Sequence, residues 1–97
     1  MDKSKFVAST RSAAPPEGLS GPLVALWWMK KGDWNRAHDA VQPFEDGAGA
    51  WVHAHLHRVE GDAKNAAYWY RQAGRSPCAS ALPIEWEEIA GELLNER

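Results

Sequence analysis

Three histidines alternate at the centre of the chain, His53, His55 and His57, in the pattern H-x-H-x-H. Imidazole binds borderline divalent metals well, and it is the side chain that titrates nearest neutral pH. On a strand all three would share a face. On a helix His53 and His57 stand one turn apart on one side, and His55 points to the other. An i, i+4 pair supplies two metal ligands, and a third must come from His38, Cys78, Glu60 or an aspartate. A structural role for the same pair would hydrogen-bond its ring nitrogens to a helix carbonyl, a tyrosine or Asn65. A small-ligand or metal site centred on His53 and His57 would take Asn65, Tyr70 and Arg71 as polar neighbours.

Other residues with chemical potential give weaker patterns. Arg58, Arg71 and Arg75 are close in sequence and suit bidentate recognition of a carboxylate or phosphate. On solvated helix faces they would instead pair with Glu60, Glu85 or Glu88. Cys78 follows Pro77 in a loop, with no histidine or acid at a spacing that would activate it. No phosphate-binding glycine loop occurs, and no catalytic residue is assigned.

The composition narrows the field. The chain has 97 residues, 11 basic against 13 acidic, and a net charge of −2, which suits one small domain. That balance gives no electrostatic basis for nucleic-acid binding. One cysteine excludes a disulfide framework and a thiolate zinc cluster. The longest apolar stretch, residues 23–29, is far below the ~20 residues of a membrane span. Residues 1–16 lack the apolar core of a secretory signal. A cytoplasmic protein without membrane contact is expected.

The elements that would position the histidines are helical throughout. Residues 1–18, rich in Ser, Thr, Ala and Pro, predict a flexible N-terminal arm. Ser20 caps a helix that tolerates Pro22 in its first turn, carries Leu23, Leu26 and Trp27 at helical spacing, and stops at Gly32. Asp33 caps a second helix with the stripe Trp34, Ala37, Val41 and Phe44. A third runs to Glu60 and stops at Gly61. Asp62 caps a fourth that ends at Ala73. A fifth spans residues 83–95, burying Trp86, Ile89 and Leu93 and turning Glu85, Glu87, Glu88 and Glu92 to water. No segment alternates with period 2, so no sheet is expected.

Residues 25–44 and 54–73 match at a constant offset, placing Gly32-Asp33 on Gly61-Asp62, Ala25 on Ala54 and Ala37 on Ala66. Each unit is helix, Gly-Asp turn, helix. The second unit's Ala54, Gly61, Ala66, Tyr70 and Ala73 resemble the tetratricopeptide repeat, and the first follows with Ala25, Trp28, Gly32 and Ala37. Its spacing is shorter than the ~34 residues usual in that family. The resemblance implies an all-α fold of two stacked antiparallel helix-turn-helix units, residues 19–46 and 48–77, closed by a capping helix at residues 83–95. It also implies an inner wall of Leu26, Met29, Lys30, Trp51, His55 and Arg58. Aromatic, Met and Arg side chains favour interface centres. The leading expectation is therefore a non-catalytic module without a cofactor, binding a protein or peptide partner or a second copy of itself. The alternative is the ligand or metal site on His53 and His57.

Overall fold

The apolar spacing and the Ser, Asp and Gly punctuation produce helices close to the expected bounds. The structure, a computed structural model, describes residues 1–95. Its elements are α1 (Lys3–Ser9), α2 (Gly21–Lys30), α3 (Trp34–Val41), α4 (Gly47–Val59), α5 (Ala63–Ala73) and α6 (Leu82–Asn95). No strand occurs among the described residues, so the chain is all-α. None of these helices is long and apolar enough to cross a membrane.

The two Gly-Asp turns have nearly the same geometry. Gly32 and Gly61 adopt positive φ, 82° and 85°, where a side chain would clash with the following carbonyl. Asp33 and Asp62 follow with φ, ψ of −102°, 83° and −98°, 82°. Their carboxylates accept from the amides of Arg36 and Asn65, capping α3 and α5. Each aspartate amide also donates back, Asp33 to the carbonyl of Trp28 and Asp62 to that of His57. The chain thus reverses twice by one device, and α2 packs on α3 as α4 packs on α5.

The core runs between these hairpins and α6. Trp27, Leu26, Leu56, Val41, Val52 and Ile89 are buried, and Ala25, Ala37, Ala54 and Ala66 keep the helices close. Trp27 is fully buried, and its half-buried neighbour Trp28 packs edge-on against it at 4.9 Å between ring centroids. Phe44, expected on the second helix's stripe, lies beyond its end and is exposed.

Residues 1–18 are not wholly the flexible arm expected from their composition. Asp2 caps α1 by accepting from the Lys5 amide. Phe6 is fully buried, stacked on Trp86 at a centroid distance of 5.8 Å. Ser9 accepts from the Trp27 indole, and Lys31 donates to the carbonyls of Thr10 and Ser12. One aromatic anchor and these bonds dock a segment too poor in apolar residues to order itself. Burying a phenylalanine is worth about 3–5 kcal/mol against alanine in a rigid core. A seven-residue helix can detach instead, which caps the loss. Phe6→Ala is therefore expected to cost about 2 kcal/mol in urea denaturation, less than that full cavity value, and to speed exchange of the α1 amides selectively. Unchanged exchange in α1 would contradict the docking.

The last helix does not cover the end of the stack alone. It lies against α2 and α4, and the Trp86 indole donates to the Leu26 carbonyl at 2.9 Å. The inner wall expected to meet a partner is thereby largely filled. Leu26, Trp51 and His55 are buried, leaving Met29 half-buried, Arg58 partly covered and Lys30 exposed. Glu85, expected to face water, is buried against α4 and α5.

Candidate metal centre

Two elements bring three histidines together. The Asp33 cap starts α3 so that His38 lies on the side facing α4. On α4, His53 and His57 stack one turn apart, 6.2 Å between centroids and 10° between planes. His38 stands across both, at 5.5 Å and 82° from His53 and at 5.6 Å and 72° from His57. One nitrogen from each ring lies within 4.8 Å of the others. Tetrahedral zinc, with bonds of about 2.0–2.1 Å, holds two imidazole nitrogens about 3.4 Å apart. The three rings therefore need to close by about 1.4 Å or less to share one ion of that size.

One nitrogen on each of the two α4 histidines is already committed. His53 Nε2 lies 3.1 Å from the Val41 carbonyl, which can only accept, so Nε2 carries the proton. His53 Nδ1 is then a bare lone pair, and it is buried with no hydrogen-bond partner. An orphaned acceptor costs about 1–3 kcal/mol, which a metal ion would recover. Burial lowers the His53 pKa to about 4, helped by the charges of His38 and His57 and opposed by the Val41 bond. His53 is thus neutral at physiological pH, as a ligand must be. His57 Nδ1 donates to Glu60 Oε1 at 2.6 Å, leaving Nε2 free. This carboxylate–histidine pairing is how metal sites orient their imidazoles.

Aromatic side chains frame the cluster. Trp69 of α5 stacks on His53 at 3.9 Å, and Trp34 stacks on His38 at 4.9 Å. The Trp34 indole is fixed by the Leu56 carbonyl at 2.8 Å. Asn65 Nδ2 sits 3.4 and 3.5 Å from the two His57 nitrogens. Such equal distances put the amide over the ring, not in line with a lone pair. His38 is only partly buried and forms the open side of the cluster.

Of the residues anticipated around His53 and His57, Asn65 is present. Tyr70 and Arg71 are not: the Tyr70 hydroxyl donates to Glu85, and Arg71 is exposed. His38 completes the set instead of Cys78, Glu60 or an aspartate, with Glu60 one shell out. The framing tryptophans escaped the sequence reading, although Trp34 with His38, and Asn65 with Trp69, stand at i, i+4 spacing.

No protein-family model matches the chain, and neither a curated protein nor a solved structure matches it at a significant level.

Proposed function

We propose that the chain is a metal-binding protein that holds a divalent ion of the zinc, nickel or copper group on His38, His53 and His57. Three imidazoles suit these ions over the oxygen-loving ones. Three protein ligands also leave a coordination position for water or an outside ligand. The observation that carries the proposal is the buried, partnerless Nδ1 of His53 beside two further imidazoles. The scaffold is proposed to be a two-unit array of the tetratricopeptide kind, supported by the matched Gly-Asp turns. No reaction is assigned. The partner-binding role expected on the inner wall is not favoured, because α6 occupies most of that wall.

Thermal unfolding of chelator-stripped protein tests the proposal. An ion that binds only the folded state adds about 2.7 kcal/mol at a free concentration 100 times its Kd. For a domain of this size the melting temperature is then expected to rise by about 10–20 °C. His38→Ala removes a partly exposed ligand, is expected to keep the apo fold, and should abolish most of the rise. An equal rise in His38→Ala would place the metal elsewhere, and no rise with zinc, nickel or copper would end the proposal.

A further inference from the structure

On the opposite side of α4 from the metal cluster, His55 faces a buried carboxylate. Glu85 Oε1 accepts from His55 Nδ1 at 2.7 Å and from Arg58 Nη1 at 2.8 Å. Glu85 Oε2 accepts from the Tyr70 hydroxyl. Arg58 is further held by the Ser80 carbonyl at 2.8 Å. Three donors on one carboxylate fix its role as acceptor, and so fix the proton of His55 on Nδ1. In the neutral ring His55 Nε2 is then the acceptor. It has no partner among the described residues, yet His53 Nδ1 is the one fully enclosed orphan among them. The Nε2 atom of this otherwise buried side chain therefore reaches the surface.

It does so at a cavity. His55 lines a pocket of about 260 Å³ walled by Met29, Val59, Leu82 and Trp86. Lys30 stands at its rim, its Nζ 5.1 Å from the centroid of the Trp86 ring. An apolar cavity of about 150 Å³ is enough to hold benzene. The pocket therefore takes a single ring with a small substituent. Its walls offer carbon and sulfur, its floor one oriented lone pair, and its rim a cation.

We propose that this pocket binds a small aromatic molecule carrying one hydroxyl, of the phenol class. The ring packs on Trp86 and Met29, and the hydroxyl donates to His55 Nε2. Lys30 favours an oxygen that carries partial negative charge. A ring without a donor leaves Nε2 unpaired, and a carboxylate meets it lone pair to lone pair. The order of preference is phenol, then toluene or benzoate. The Glu85 network acts as a positioning device that holds the acceptor nitrogen toward the pocket. None of this depends on the metal centre.

The test is a titration of the full chain with phenol, toluene and benzoate, followed by the NMR signal of the Trp86 indole N–H. Phenol is expected to give a saturable one-to-one shift and to bind about tenfold tighter than toluene, the value of one net hydrogen bond. His55→Phe should bring phenol down to the toluene level. Because that change disturbs the Glu85 network, Met29→Trp serves as a second variant. It fills the cavity from a half-buried position and should abolish the phenol shift while the fold persists. Equal affinity for phenol and toluene, tighter binding of benzoate, or no saturable shift at Trp86 would overturn the proposal.

Discussion

Replacing Glu85 by alanine is expected to cost about 3–5 kcal/mol of folding stability, the usual consequence of removing one side of a buried ionic network. Three groups lose their acceptor together. Arg58 becomes a partly covered charge without a counter-charge, and Tyr70 and His55 keep N–H or O–H donors in a site that water reaches poorly. Domains of this size hold only about 5–15 kcal/mol in total, so the urea midpoint should fall by a third or more. Burial alone would raise the Glu85 pKa. The bonds from His55, Tyr70 and Arg58 outweigh it and hold the carboxyl well below the usual range. For the same reason Tyr70, buried and bonded to Glu85, is pushed above the ordinary phenol range and stays a donor. The stability this network provides is present above the unfolded carboxyl value of 4.5 and is lost as the pH falls below it toward the depressed folded value. A loss under about 1 kcal/mol for Glu85→Ala would mean that the network contributes no more than an exposed pair.

A second large effect appears at milder acidity. His53 has a folded pKa of about 4 against 6.5 when unfolded. Between those values the unfolded chain takes up a proton that the native chain refuses, so stability falls as pH falls through the window. Above 6.5 the site contributes no slope, and below about 4 its loss is complete. At 1.36 kcal/mol for each pH unit the full loss is about 3 kcal/mol. Urea denaturation of the metal-free protein at several pH values should show this decline, separated from the Glu85 loss at lower pH. His53→Gln keeps a donor for the Val41 carbonyl and cannot titrate. It should remove most of the slope between pH 6.5 and 4. An unchanged slope in that variant would assign the decline to other groups.

What the sequence reveals of this molecule is what neighbouring residues decide. The Gly32-Asp33 and Gly61-Asp62 turns are legible because a left-handed glycine and a capping aspartate act within four residues. The facing of His53 and His57, with His55 opposed, follows from helix geometry alone. The third ligand is different. His38 reaches the pair through the packing of α3 on α4, a non-local contact, so sequence leaves it as one of several options. Glu85 reads as a member of a solvated acidic run, because its burial is set by Arg58, Tyr70 and His55 on other helices. The face expected to meet a partner is partly closed for a related reason. Leu26 and His55 are buried, with α6 bonded to the first through Trp86 and to the second through Glu85. Phe6 stands in a segment with no periodicity, and only the surface around Trp86 gives it a place to bury.

The most direct measurement on the metal centre is X-ray absorption of the full chain loaded with one equivalent of zinc at neutral pH. Three imidazole nitrogens at about 2.0–2.1 Å are predicted, with one imidazole lost in His38→Ala. A first shell of oxygen alone, or an imidazole count unchanged in His38→Ala, would contradict a centre built from His38, His53 and His57.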